Sequence, residues 1–241
     1  MPSTTGISAV PSGRPGVEAQ AGFVPGYFLS SATYDDRHRG DVIGQLVGLI
    51  EPDRWIGAHG LIAGARSWGQ YGDHAFEPFL GLRHRIDDDL ALAVIGHGTV
   101  MRGAERGASY RATRAGGEVA LDARVLAPVR WFALHGQAAV SATYLDARGT
   151  YCADPEGAGV DCDRSASDRV IDGSIRGLFA AATATLAIEL GRMPDSSFHS
   201  LRLALLGAAG TMPQVRNGME TDAARYVSLG LTLTLGLGNP K

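Results

Sequence analysis

The segment Tyr226-Val-Ser-Leu-Gly-Leu-Thr-Leu-Thr-Leu-Gly-Leu-Gly238 decides the fold. Every second residue from Val227 to Leu237 is Val or Leu, and the residues between are Ser228, Gly230, Thr232, Thr234 and Gly236. Successive side chains of a strand point to opposite faces, so one face is wholly aliphatic and the other small and uncharged. A strand at the surface of a water-soluble protein would carry Lys, Glu or Arg on its wet face. Here the aliphatic face suits lipid, and the small polar face suits the crowded interior of a closed barrel. The segment therefore predicts a transmembrane β-barrel.

The whole chain supports that expectation. Its 241 residues include 33 glycines, about twice the usual ~7%. Charged residues make up 20%, somewhat below the usual ~25%. Every basic residue except Lys241 is arginine, and the net charge is only -3, which argues against a nucleic-acid partner. Uncharged stretches such as residues 177–188 fall short of the ~20 apolar residues that a spanning helix needs. Middling hydropathy in a membrane protein implies that the lipid face is hidden in alternation. Met1-Pro-Ser-Thr-Thr lacks a basic region and an apolar core of the signal-peptide kind, so an exported barrel implies that a signal has been removed.

Residues 1–16 are rich in Pro, Ser and Gly and are expected to form a flexible tail, with 17–241 as a single barrel domain. Alternation and turn residues predict ten strands: 17–29, 41–50, 55–69, 75–86, 90–102, 109–126, 131–148, 169–190, 197–212 and 223–238. Eight or twelve would fit the same pattern. Residues 178–190 and 201–209 are rich in the helix formers Ala and Leu, but the Thr183/Thr185 alternation favours strand. Four connections are short: 51–54, 87–89, 127–130 and 191–196. They rotate with mostly longer, more polar ones at 30–40, 70–74, 103–108, 149–168 and 213–222. Short periplasmic turns at one end and longer extracellular loops at the other are the expected asymmetry of an up-and-down membrane barrel.

The aromatics form two belts. Trp55, Trp131, Phe132 and Phe198 adjoin the short turns, while Tyr27, Phe28, Trp68, Tyr71, Phe76, Tyr110, Tyr144 and Tyr226 lie near the long loops. From Phe132 to Tyr144 a tilted strand spans on the order of 30 Å, close to the ~25 Å apolar band of such barrels. Alternation, belts and loop asymmetry together resemble the small bacterial outer-membrane β-barrel class, over residues 17–238. The end of the chain, Leu237-Gly-Asn-Pro-Lys241, departs from the terminal aromatic residue often found in that class.

The same alternation assigns the inward face. Glu18, Glu77, Arg83, Arg85, Arg114, Glu118, Asp122, Arg124, His135, Glu189 and Arg202 are expected to form a charge cluster in the periplasmic half of a narrow or closed lumen. Both signs are present, as burial requires. A recurring His-Gly pair, at His59, His97 and His135, admits a metal-binding or pH-sensing ring. Repeated hairpin grammar accounts for it more simply, and no metal or cofactor is expected. Cys152 and Cys162, in a polar segment, are expected to pair as a loop disulfide, which fits an oxidising compartment.

No nucleotide-loop, nucleophile-elbow or zinc-protease motif is present. The weak catalytic candidates are Asp35, Asp36 and His38 in the first loop, and Asp73 and His74 in the second. They are similar in kind, but not in spacing, to the rim acid/histidine groups of omptin-type outer-membrane proteases. The leading expectation is a non-enzymatic outer-membrane barrel, structural, ligand-binding or a narrow channel. Its partners would be outer-membrane lipid and an extracellular ligand or protein at loops 149–168 and 30–40. A barrel hydrolase, or a soluble ligand-binding barrel with its polarity inverted, stands as the alternative. Oligomeric state is not written in the sequence.

Overall fold

The structure, a computed structural model, describes residues 16–24, 26–28, 41–50, 59–70, 73–105, 108–129, 131–152, 170–191, 198–212, 215–216, 219–220 and 224–238. Its strands are β1 (Gly16–Val24), β2 (Gly26–Phe28), β3 (Asp41–Ile50), β4 (His59–Gln70), β5 (Asp73–Arg85), β6 (Leu90–Glu105), β7 (Ala108–Val129), β8 (Phe132–Cys152), β9 (Val170–Leu190), β10 (Phe198–Met212), β11 (Val215–Arg216), β12 (Met219–Glu220) and β13 (Ala224–Gly238). Each long strand from β3 to β10 pairs antiparallel with its neighbours in chain order. β10 then pairs β13, and β13 pairs β1 from Gly16↔Gly238 to Phe23↔Leu231. Because β1 also pairs β3, the sheet closes on itself as an up-and-down barrel. β2 continues along β13 through Gly26↔Ser228, while β11 and β12 form a separate small hairpin.

Alternation sets the two faces. On β13, Leu229, Leu231, Leu233 and Leu235 are exposed, while Ser228, Thr232 and Thr234 are buried. The same sorting runs through the Ala-rich strands. On β9, Leu186 and Ile188 point out while Phe179, Ala181 and Ala187 point in; on β10, Leu203 and Leu205 point out while Arg202, Ala204 and Leu206 point in. Cross-strand packing, not helix propensity, decides these two segments. A soluble barrel would show the opposite polarity, and that alternative is corrected here: the charged side chains are inside and the branched aliphatics outside. The buried face also holds an apolar cluster of Ile62, Phe79, Ala91, Ala93, Ile95, Ala120 and Ala139.

Several connections are tighter than the sequence suggests. β6 runs to Glu105 and β7 starts at Ala108, directly paired, so the expected loop 103–108 is mostly strand. Asp73 and His74 are also strand residues, paired with Gln70 and Gly69, because β4 and β5 meet in a tight hairpin. The expected turn 127–130 is largely absorbed into β7, which reaches Val129↔Phe132 through register shifts after Arg124 and Leu126. Such shifts let a strand carry an extra residue without losing its partner. Residues 1–15, the loop 30–40 and the turn 51–54 lie outside the described residues.

Two local features follow from residue type. Pro78 has no N–H to give a ladder, and the β5–β6 pairing runs only from Phe79↔His97 to Arg85↔Ala91. Beyond it, the Thr99 hydroxyl donates to the Phe76 carbonyl. Gly191 closes the short-turn end of β9 with φ 85°, and its N–H donates to the Trp131 carbonyl at 2.8 Å. That left-handed conformation favours glycine.

Gly81 on β5 lies tight against β6. A Cβ there would stand 2.5 Å from the Val94 carbonyl oxygen and 2.9 Å from the Ile95 side chain. Overpacking of this kind typically costs ~1–3 kcal/mol. Gly81→Val is therefore expected to lower the unfolding free energy of the refolded protein by an amount in that range, measured by urea titration followed by Trp fluorescence, whereas Gly96→Ala, with only a 3.8 Å contact, should leave it nearly unchanged.

Candidate functional site

The outer face is a band with two edges. Along β8 the outward residues are Ala138, Val140, Ala142 and Tyr144, followed by Asp146 and Arg148. On β9, Arg176 lies directly across from Asp146, and Leu178 across from Tyr144. Arg176 Nε stands 3.3 Å from Asp146 Oδ1, and Arg148 Nε 3.6 Å from the same oxygen. The outer surface thus changes from aliphatic to ion-paired just beyond Tyr144, itself 50% exposed. At the opposite end Trp131 is 62% exposed and packs edge-on to Phe132 at 6.3 Å. Strands β7, β8 and β9, at 22, 21 and 21 residues, run well past the charged edge.

The buried face holds two polar clusters. In the first, Arg66 and Glu77 are cross-strand partners in the half of the β4–β5 hairpin nearer Gln70↔Asp73. Arg66 Nη2 donates to Glu118 Oε2 at 3.4 Å, and Arg114 Nε lies 3.6 Å from Glu77 Oε1. His97 Nδ1 hydrogen-bonds Glu77 Oε1 at 2.8 Å, and His97 Nε2 hydrogen-bonds Thr143 Oγ1 at 3.3 Å. An ionised Glu77 can only accept, so Nδ1 carries the proton in that bond. The two guanidinium groups lie over aromatic rings, Arg66 over Phe79 at 5.1 Å and Arg114 over Phe179 at 5.8 Å. Cation–π contact of this kind offsets part of the lost hydration.

The second cluster lies nearer the short turns. His135 Nε2 approaches Glu189 Oε2 to 2.7 Å and its Nδ1 lies 3.4 Å from Asp122 Oδ1. Arg202 Nη2 donates to Glu189 Oε2 at 3.0 Å across the β9–β10 ladder. Apolar Ala120 on β7 and Ala139 on β8 stand between the clusters. Below the second cluster a cavity of about 350 Å³ opens between Arg124, Pro128, Trp131, Phe132, His135 and Glu189.

Set beside the sequence expectations, the placement is uneven. Glu77, Arg83, Arg114, Glu118, Asp122, His135 and Arg202 are buried, and Glu189 and Arg85 are half-buried. They are not confined to one half: Glu77 belongs to the cluster nearer the long loops. Arg124 does not join either cluster. It turns to the short-turn rim, where Nη2 meets Asp89 Oδ1 at 2.5 Å. The side chain of Glu18 is outside the described residues. The three His-Gly histidines do not form a ring, since His97 and His135 belong to different clusters and His59 is exposed. Among the described residues no group of three or more His, Cys, Asp or Glu is placed to hold a metal. Asp35, Asp36 and His38 lie outside the described residues, as does Cys162; Cys152 ends β8.

Arg66, Phe79 and Phe179 are absent from the sequence expectation. Arg66 shares its face with Ile62, a fully buried aliphatic residue, so the segment gives no clean polar-in pattern. Parity from Gly60 through Ile62 and Gly64 to Arg66 is the signal that finds it.

No protein-family model matches the chain, and no curated protein matches it. Among solved structures it is similar to Neisserial surface protein A, at 12% identity over 91% of this chain and 95% of that one, with a TM-score of 0.35. The translocator domain of the autotransporter NalP from Neisseria meningitidis aligns at 12% identity over 93% and 88%, with a TM-score of 0.42. Ail, the attachment invasion locus protein of Yersinia pestis, aligns at 7% identity over 93% and 99%, with a TM-score of 0.33. The barrel assignment rests on the chain's own closed strand pairing.

Deleting one partner of a buried ion pair typically costs ~3–5 kcal/mol, whereas replacing both with apolar groups is often neutral. Glu118→Leu alone is expected to destabilise the folded barrel by roughly that amount, and Arg66→Met with Glu118→Leu to recover most of the loss. Equilibrium urea unfolding in micelles measures both.

Proposed function

We propose that the chain is an integral protein of the bacterial outer membrane, a non-enzymatic barrel with a shut, charge-filled lumen that serves as a structural or binding scaffold at the cell surface. One observation carries this reading: a closed barrel with an aliphatic outer band, bounded by Trp131 at one edge and by Tyr144 and the Asp146/Arg176 pair at the other. Only a closed sheet satisfies every backbone group in lipid, and interfacial aromatics mark its edges.

The interior supports a plug in preference to a conduit. Among the described residues, buried Arg66, Arg83, Arg114 and Arg202 are matched by buried Glu77, Glu118 and Asp122 and half-buried Glu189. Half-buried Arg85 adds a fifth arginine to set against these four acids, so the two signs nearly balance and no strong field of one sign invites an ion. Ala120 and Ala139 stand between the clusters, within the buried apolar group that also holds Ile62, Phe79 and Ile95. A narrow channel is the remaining variant of this reading.

The absence of an enzymatic role is supported by exposure. Thr143, His97 and Glu77 have the residue types of a hydroxyl–histidine–acid relay, yet Thr143 is only 2% exposed. A reacting group must be reached by its substrate before its geometry matters. The rim pair Asp73 and His74 occupies a tight hairpin instead of a long loop. Binding is assigned to the surface end, where β7–β9 rise beyond the lipid band toward residues 153–168, the expected loop less the four residues 149–152 that β8 takes up, with 30–40 as a second contact region. Loops on a rigid scaffold are where such contacts concentrate. In its solved complex, Ail of Yersinia pestis holds the heparin analogue sucrose octasulfate, which shows that a barrel of comparable size can take a ligand.

Two measurements test the proposal. The purified protein is expected to require detergent and to shift its SDS migration on heating; a protein that stays monodisperse without detergent overturns the membrane reading. In planar bilayers it should give no stable openings of porin size, and such openings would overturn the shut lumen.

A further inference from the structure

We propose that His59 and His84 form a two-point binding site for a divalent transition-metal ion on the outer surface of the β4–β5 hairpin. The two residues are direct cross-strand partners, and both are exposed. Their Nδ1 atoms converge to 3.2 Å, with ring centroids 4.6 Å apart and planes inclined by 30°. A zinc–imidazole bond is ~2.0–2.1 Å, so an ion equidistant from both nitrogens would subtend an angle of about 103°, close to the tetrahedral value. The spacing that one ion requires is thus already set by the strand ladder.

The surroundings make the pair unusual. His84 sits between Leu82 and Ile86 on the aliphatic outer face, 62% and 52% exposed respectively. Two imidazoles on such a surface are poorly served by lipid or by each other. A hydrogen bond between them uses one proton and one lone pair and orients the rings no further. An ion would use both Nδ1 lone pairs at once. Imidazole suits zinc, copper and nickel, with copper the tightest in the usual divalent order. Among the described residues no third His, Cys, Asp or Glu completes a cage, so water would fill the remaining positions and the ion would be exchangeable. Chelation across two strands would also pin the hairpin next to the short-turn rim. The inference does not depend on the state of the lumen.

The test uses the full chain refolded in micelles, free of any affinity tag, titrated with Cu(II) alone. One ion per barrel is expected, with electron paramagnetic resonance showing two imidazole nitrogens bound. His59→Gln and His84→Gln should each weaken binding at least tenfold while leaving heat-modifiable migration intact, and His199→Gln should not. Binding should weaken on acidification, because the ligand must be deprotonated. Saturating Ni(II) should raise the thermal midpoint of the wild type and not of the double variant. Equal binding by wild type and the double variant, no binding at all, or a single-nitrogen signal in the wild type would each overturn the site.

Discussion

The pairing of β1 with β13 is the constraint on which the rest of the structure depends. It turns a ladder with two open edges, β1 and β13, into a ring. In an apolar surrounding each unsatisfied backbone group costs several kcal/mol, so an open sheet of this composition has no stable place in lipid. Closure also creates an inside and an outside. Only then does period-two alternation sort Leu229, Leu231 and Leu233 to one environment and Ser228, Thr232 and Thr234 to the other.

The inside imposes its own rule. Long charged side chains come from β4 through β10, and they are brought into contact with opposite charge or with an aromatic face: Arg66 with Glu118 and Phe79, Arg114 with Glu77 and Phe179, Arg202 with Glu189. The balance of charges is what makes their burial tolerable. From Ser228 to Gly236, β13 offers only Ser, Thr and Gly on its inner face. A wall of small groups opposite long ones is the arrangement that a narrow, filled interior needs.

Much of this was legible in the sequence because alternation is local. The last strand needs no partner to be read, and neither do Glu118, Asp122 and Arg114 on β7, separated by even intervals. What stayed hidden depends on partners. Arg66 shares a face with Ile62, so its segment mixes aliphatic and charged residues on the buried side. Phe79 and Phe179 belong to neither aromatic belt of the sequence, and only register sets them beneath guanidinium groups. Arg124 has the parity of an inward residue, but Asp89 in the adjoining turn draws it to the rim. Turns were overestimated where Asp73, His74 and Val129 stay paired, since loop-like composition is outweighed by a neighbouring strand. The His59–His84 contact is invisible without the β4–β5 register.

The central claim is that the aliphatic face of the barrel meets lipid. Its most direct test places a small thiol-linked fluorophore, one at a time, at Leu82, Val140 and Leu231 in a background without Cys152 and Cys162, and reconstitutes each variant in vesicles containing brominated phospholipid. All three positions are exposed and lie on different sectors of the ring. The account predicts strong quenching by brominated acyl chains at all three and little at Asp88 in the short turn. Unquenched probes at the three leucine and valine positions, with quenching restored only by a water-soluble agent, would contradict it.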